Sequence, residues 1–75
     1  MNKTRRAAIE KIAEQIENLK NQLEELKDDE QEYYDNMPES FQGGEKGENA
    51  EAAISSMEEA ISGLETATDE LSNIE

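Results

Sequence analysis

Apolar residues in the first half of the chain recur at alternating spacings of three and four residues. This is the a/d pattern of a coiled coil, in which apolar side chains form one strip along a helix. No glycine or proline precedes Pro38. We therefore predict one helix over residues 3–37, ended by Pro38 because the residue before a proline disfavours helical geometry. The strip consists of Ile9, Ile12, Ile16, Leu19, Leu23, Leu26, Tyr33 and Met37, with Glu30 as its one polar interruption.

The last third of the chain repeats in sevens, as "AEAAISS", "MEEAISG", "LETATDE" and "LSNIE". Three apolar columns per heptad make a wider face than the first helix has, which is typical of a helix that packs on two neighbours. We predict a second helix over residues 48–74. Its columns are Ala50, Met57, Leu64 and Leu71, then Ala53, Ala60, Ala67 and Ile74, then Ile54, Ile61 and Thr68.

Residues 38–47 are predicted to form the bend, because they hold the only proline and three of the four glycines. The aromatic residues fall at or near the same place, and we expect Tyr33, Met37 and Phe41 to cover the end of the apolar seam. The predicted fold is all-α, a single domain over residues 1–75 that forms a long antiparallel two-helix hairpin.

Two helices in contact along one seam leave the wide face of the second helix in water. We therefore expect the hairpin to pair with a second copy into a four-helix bundle, as a homodimer or higher oligomer. The predicted oligomer seam consists of Ile9, Ile12, Ile16, Leu19, Leu23, Leu26, Ile54, Met57, Ile61, Leu64 and Leu71.

The composition excludes several classes of function. The chain has no cysteine and no histidine, which removes disulfides, thiolate zinc sites and imidazole general bases. The calcium-loop spacing is absent, and so is the glycine-rich loop that binds phosphate. No apolar run is long enough for a membrane span. We predict a cytoplasmic protein that is not an enzyme, uses no cofactor or metal, and does not enter a membrane.

Charge is distributed unevenly along the chain, whose net charge is -13. Six basic and five acidic side chains lie in residues 1–27, whereas one basic and fifteen acidic side chains lie in residues 28–75. Direct nucleic-acid binding is disfavoured, because phosphate contacts require clustered lysine and arginine. An acidic rod could instead occupy the groove of a basic nucleic-acid-binding protein. The alternative is that the acidic faces only keep a small bundle soluble.

The densest acidic cluster is "KDDEQEYYD", near the end of the first helix. We take this cluster as the candidate charged contact and two nearby aromatic residues as its candidate anchors. Tyr34 lies one residue beyond the strip position of Tyr33, so we expect Tyr34 to face solvent. The candidate partner-binding residues are Asp28, Asp29, Glu30, Glu32, Tyr34, Asp35 and Phe41.

The stretch "DNMPESFQGGEKGENAEAAISSMEEAIS" resembles small acidic proteins encoded by bacteriophages and mobile elements of Gram-positive bacteria. In those proteins a segment similar to residues 36–43 precedes an amphipathic helix rich in glutamate and alanine. Phe41 and Gly44 stand where those proteins have leucine and serine. Because serine caps helices, this difference leaves the start of the second helix open.

The resemblance implies a phage accessory protein, for which interference with a host defence or regulatory protein is a typical role. The leading hypothesis is therefore a non-catalytic protein-binding module, a phage-type inhibitor that blocks a host nucleic-acid-binding or defence protein through its acidic surface. The alternative hypothesis is a homo-oligomeric helical scaffold with no inhibitory role.

Overall fold

The computed structural model describes residues 2–74, which form three helices and no strand. The helices are α1 (Lys3–Asp35), α2 (Glu39–Gln42) and α3 (Glu45–Ser72). The two long helices pack against each other in antiparallel order, and the molecule measures 58 × 14 × 12 Å. The all-α class and the helical hairpin are therefore confirmed.

Local hydrogen bonds fix both ends of α1. The side chain of Asn2 accepts a hydrogen bond from the backbone N–H of Arg5 at 2.8 Å, which satisfies one of the free donors at the helix start. At the other end the backbone N–H of Met37 donates to the carbonyl of Tyr34 at 3.1 Å. Pro38 follows immediately, so α1 ends at Asp35, slightly before the predicted boundary.

The bend contains a short helix, α2, that the sequence did not predict. The carbonyl of Pro38 accepts from the backbone N–H groups of Phe41 and Gln42, at 2.9 and 3.2 Å. The side chain of Gln42 donates to the carbonyl of Tyr34 at 3.1 Å, which attaches α2 to the end of α1. The bend is therefore an ordered unit held to α1 by a side-chain hydrogen bond.

The start of α3 is Glu45, earlier than the predicted residue 48. Gly44 precedes it without any side-chain capping bond. Glu45 and Glu48 lie in the first turn, where negative side chains interact favourably with the positive end of the helix dipole. This charge arrangement supports the helix start in place of the missing serine cap.

The predicted single strip of α1 is wrong in its register, because α3 covers only every second member of it. The covered residues of α1 are at least half-buried and again alternate by three and four. They include the predicted column that begins at Ile9. In the other column, each covered residue is the one that follows the predicted residue, so that Lys20, for example, takes the place of Leu19. The α1 seam consists of Ile9, Ala13, Ile16, Lys20, Leu23, Lys27, Glu30 and Tyr34, and Met37 continues it just beyond the end of the helix.

The seam of α3 uses two of the three predicted columns. Its buried members are Gly47, Ala50, Ile54 and Ile61. Its half-buried members are Met57, Leu64, Thr68 and Leu71. No residue of α1 is buried, so the hairpin encloses a thin core that lies closer to α3.

Gly47 of α3 lies in close contact with the backbone of Gln42 in α2. A Cβ atom added there would overlap the backbone carbonyl of Gln42, and backbone cannot move aside as a flexible side chain can. The glycine therefore permits the bend to close onto α3. At Gly43, by contrast, an added Cβ meets nothing within 4 Å.

We predict that Gly47→Ala lowers the free energy of unfolding by about 1–3 kcal/mol, the usual effect of overpacking. Gly43→Ala is the matched control and should change it by less than about 1 kcal/mol. Urea denaturation followed by circular dichroism measures both. Equal stability of the two variants would contradict the close contact between α2 and α3.

Candidate interaction surfaces

One long side of the hairpin carries a row of acidic residues, which we call the acidic flank. Its members recur every seven residues on both long helices and lie just after the seam positions. They are Glu10, Glu17 and Glu24 on α1 and Glu51, Glu58 and Glu65 on α3, and Gln31 continues the α1 row as its one uncharged member. Glu24, Glu58 and Glu65 line one shallow groove, and Gln31, Glu51 and Glu58 line another. The two rows are therefore neighbours across the seam.

Two lysines of the α1 seam extend toward the acidic flank. The amine of Lys20 lies 3.2 Å from Glu17, and this is the only ion pair among residues 2–74. The hydrogen bond from Lys20 to Glu17 and the charges of Glu17, Glu24 and Glu65 raise the pKa of Lys20 above its ordinary value of 10.5. Lysine stems can cover apolar surface while the amines stay in water. The seam therefore tolerates these lysines because carboxylates surround their charged ends.

Tyr34 lies on the seam with α3 and is only partly exposed, which corrects the expectation from sequence. Its side chain is half-buried on the α1 seam, and its hydroxyl donates a hydrogen bond to Glu51 of α3. That bond, together with partial burial and the charges of Glu51 and Asp35, raises the pKa of Tyr34 above 10.0. Tyr33 takes the outward position instead and is exposed.

The opposite long side of the hairpin is apolar, and we call it the apolar flank. Its members lie just before the seam positions, at Ile12, Leu19, Leu26 and Tyr33 on α1 and at Ala53, Ala60 and Ala67 on α3. The four large side chains of α1 are between 48% and 57% exposed. Soluble monomers rarely expose an aligned row of large apolar residues, so this flank has the character of an interaction surface.

The rows of α1 and α3 lie on the same side for a geometric reason. A rotation of 180° about an axis perpendicular to the plane of the hairpin exchanges the two antiparallel helices. This rotation does not interchange the two sides of that plane. Residues just before the seam therefore share one side in both helices, and residues just after it share the other. The grooves that join Glu24 with Glu65 and Gln31 with Glu51 show this arrangement directly.

The predicted partner-binding residues fall in three different surroundings. Asp28, Asp29, Glu32 and Asp35 are exposed on α1. Glu30 lies half-buried in the seam beside α3. Phe41 is exposed on the short helix of the bend, and therefore does not cover the end of the seam as we expected. Tyr33 does not cover it either, whereas Met37 is half-buried there.

The predicted oligomer seam divides in the same way between two surfaces. Ile12, Leu19 and Leu26 lie on the apolar flank. The remaining members are covered at least in part by the intramolecular packing of the hairpin, namely Ile9, Ile16, Leu23, Ile54, Met57, Ile61, Leu64 and Leu71.

The acidic flank was missed at the level of the sequence. Its signal was present, because glutamate recurs every seven residues at 10, 17 and 24 and again at 51, 58 and 65. The sequence prediction instead selected the densest acidic segment, Asp28 to Asp35, because its carboxylates lie close together in the sequence. A heptad repeat of charge is less obvious than a run, yet the helix places it in one line.

No family model, curated protein or solved structure matches the chain. Within residues 2–74, no three acidic side chains are grouped so that they could hold a metal ion. None of the helices over the same residues has the length and apolar character that crossing a membrane requires.

The hydrogen bond between Tyr34 and Glu51 predicts a measurable titration. In a Tyr33→Phe background, absorbance reports ionisation of Tyr34 alone, and its midpoint should lie above 10.0. Because the folded pKa is raised, the bond stabilises the hairpin below the ordinary tyrosine pKa, and this contribution is lost as the pH rises through the folded pKa.

Glu51→Gln should move the titration midpoint down toward that of free tyrosine, since it removes the charge that opposes ionisation. Glu59→Gln, which alters a residue of α3 outside both flanks, is the control and should leave the midpoint in place. A midpoint that Glu51→Gln does not change would show that the hydroxyl has another partner.

Proposed function

We propose that this chain is a non-catalytic protein-binding module whose acidic surface engages a basic, nucleic-acid-binding protein of the cytoplasm. The resemblance to acidic phage proteins supports the proposal that it is a phage-type accessory inhibitor of a host defence or regulatory protein. The main support for this proposal is the acidic flank, a line of carboxylates along the rod. The exposed residues Asp28, Glu32 and Asp35 add to it.

Charge density supports competition with nucleic acid. The chain spreads a net charge of -13 over a rod of 58 Å, which is about one charge per 4.5 Å. Two copies side by side would carry about one net charge per 2.2 Å, compared with one per about 1.7 Å for duplex DNA. A basic groove that binds DNA would therefore experience a similar negative electrostatic potential from a paired hairpin.

The lack of a buried polar site among residues 2–74 supports a non-catalytic role. General acids and bases generally need a desolvated pocket that shifts their pKa values. Among residues 2–74 no polar or charged side chain is buried. The concavities of the hairpin are open grooves along the two helices, lined mainly by glutamate, serine and aliphatic side chains.

A second candidate function is a homo-oligomeric helical scaffold, and the apolar flank favours it. Four large side chains in one line on α1 face outward, beside small residues of α3. We propose that two hairpins pair through this side into a four-helix bundle. Pairing is compatible with either function, because it leaves the acidic flank of each copy on the outside.

The binding proposal is tested by affinity capture from a nuclease-treated bacterial lysate. The variant Asp28→Asn, Asp29→Asn, Glu32→Gln should weaken capture about tenfold, because these charges form the exposed acidic cluster. Capture should also fall between 50 and 200 mM salt, and added duplex DNA should release the bound protein.

The matched control is Glu59→Gln, Asp69→Asn, Glu70→Gln, which changes the net charge equally but at another part of the rod. It should retain most of the capture. Equal loss in both variants would mean that bulk charge alone attracts the partner. Full capture by the first variant at both salt concentrations would exclude the acidic cluster as the contact.

A further inference from the structure

The apolar flank is bordered by uncharged residues for most of its length. On α1 the next row outward holds alanine, glutamine, glutamine and one aspartate, at Ala8, Gln15, Gln22 and Asp29. On α3 the corresponding row is Asn49, Ser56, Gly63 and Glu70. The glutamates recur instead on the acidic flank and on the outer faces. A long strip without glutamate in its middle, in a chain with twenty acidic residues, is suited to contact with another apolar surface.

Gly63 has no role within the hairpin that explains a glycine. It lies in the interior of α3, where glycine disfavours helix relative to alanine, and an added Cβ would meet nothing within 4 Å. With Ala60 and Ala67 it leaves a shallow strip beside the large side chains of α1. Such a strip allows a neighbouring helix backbone to approach closely.

The dimensions of this side match what a stable interface requires. The broad side of the hairpin measures 58 by 14 Å, which is about 800 Å². A protein interface of standard size buries about 800 Å² on each partner. A second copy of the same hairpin is as long and as wide, and it carries the same apolar strip, so it covers the whole side.

The charges of α1 show how a second copy would be oriented. Lys3, Arg5 and Arg6 lie at the positive end of the α1 dipole, and no acidic residue occupies that first turn. Glu32 and Asp35 lie at the negative end, where no basic residue is present. Both sets are unfavourable for the helix itself. An α1 helix packed in the opposite direction would direct each set toward the oppositely charged end of the other copy.

Two symmetric arrangements place the apolar flanks face to face. In the first, both bends lie at the same end, α1 packs on α3 of the other copy, and the two most acidic regions approach each other. In the second, the bends lie at opposite ends and α1 packs on α1 of the other copy. The second arrangement separates the two acidic bends and directs the basic start of each α1 toward the acidic end of the other.

We infer that a second copy of this chain covers the apolar flank in the antiparallel arrangement, with α1 packed against α1 and the two-fold axis near Gln22. Leu19 and Leu26 then lie at equal distances from the axis, and Ile12 of one copy lies opposite Tyr33 of the other. On α3 the same axis passes near Gly63 and Leu64, since Glu24 and Lys27, which follow Gln22 on α1, share a groove with Ile61 and Ser62. The inference rests on the pairing proposed above and adds its surface and direction.

Cysteine cross-linking tests the arrangement, because the chain contains no cysteine. Gln22→Cys places a thiol beside its symmetry mate and should form a disulfide-linked dimer under mild oxidation. Asn21→Cys is the matched control, one residue away but turned toward the opposite side of α1, and it should stay largely unlinked. Light scattering on both reduced variants should give twice the chain mass of 8.4 kDa.

A mixture of Gln22→Cys and Gly63→Cys separates the two arrangements. The arrangement with both bends at one end predicts a mixed disulfide between the two variants, whereas the antiparallel arrangement predicts Gln22→Cys linked to itself. A dimer that gives mainly the mixed product would overturn the antiparallel inference and leave pairing intact. A mass of 8.4 kDa at all concentrations would overturn the pairing as well. Neither result depends on capture of a basic protein.

Discussion

The structure depends on which two columns of α1 the hairpin uses to contact α3. Packing through Ile9, Ile16 and Leu23 is common to the predicted and the observed register. The second observed column consists of Ala13, Lys20, Lys27 and Tyr34, so Leu19 and Leu26 lie outside the seam. This register places the lysine amines among the glutamates of the acidic flank and the Tyr34 hydroxyl on Glu51. A seam through the leucines would have buried more apolar surface within one chain and left those polar contacts unmade.

The consequence is a molecule with two chemically different long sides. The side toward which the lysines point is acidic, and the side that carries the displaced leucines is apolar. Among residues 2–74 the buried hydrophobic residues are Ala50, Ile54 and Ile61, all on α3, so a single hairpin has little buried apolar surface relative to the residues it orders. The column of Ile9, Ile16 and Leu23 lies at the corner between seam and apolar flank, where a second copy would complete its burial. The proposed self-pairing and the proposed binding of a basic protein thus use mainly opposite sides of the hairpin.

The sequence predicted the helices, the hairpin and three apolar columns of α3, two of which face α1, because these follow from local propensity and from a repeat of seven without breakers. It did not predict the register of α1, since Leu19 and Lys20 occupy adjacent positions and apolarity alone favours the leucine. The decisive partners, Glu51 and Glu65, lie on the other helix. The short helix α2 and the contact between Gly47 and Gln42 were missed although both are local, because the periodicity of apolar residues does not describe the backbone of a bend. Among the predicted contact residues, Tyr34 was placed on the wrong side and Phe41 proved to be exposed.

The proposed pairing through the apolar flank should couple association to the stability of the folded hairpin. The most direct measurement is the thermal unfolding midpoint, followed by circular dichroism over a hundredfold range of protein concentration. Association stabilises a folded state by mass action, so the midpoint should rise steadily with concentration. The variant Leu19→Gln, Leu26→Gln should lose this dependence. A wild-type midpoint that does not change with concentration, at a mass of 8.4 kDa, would contradict the claim.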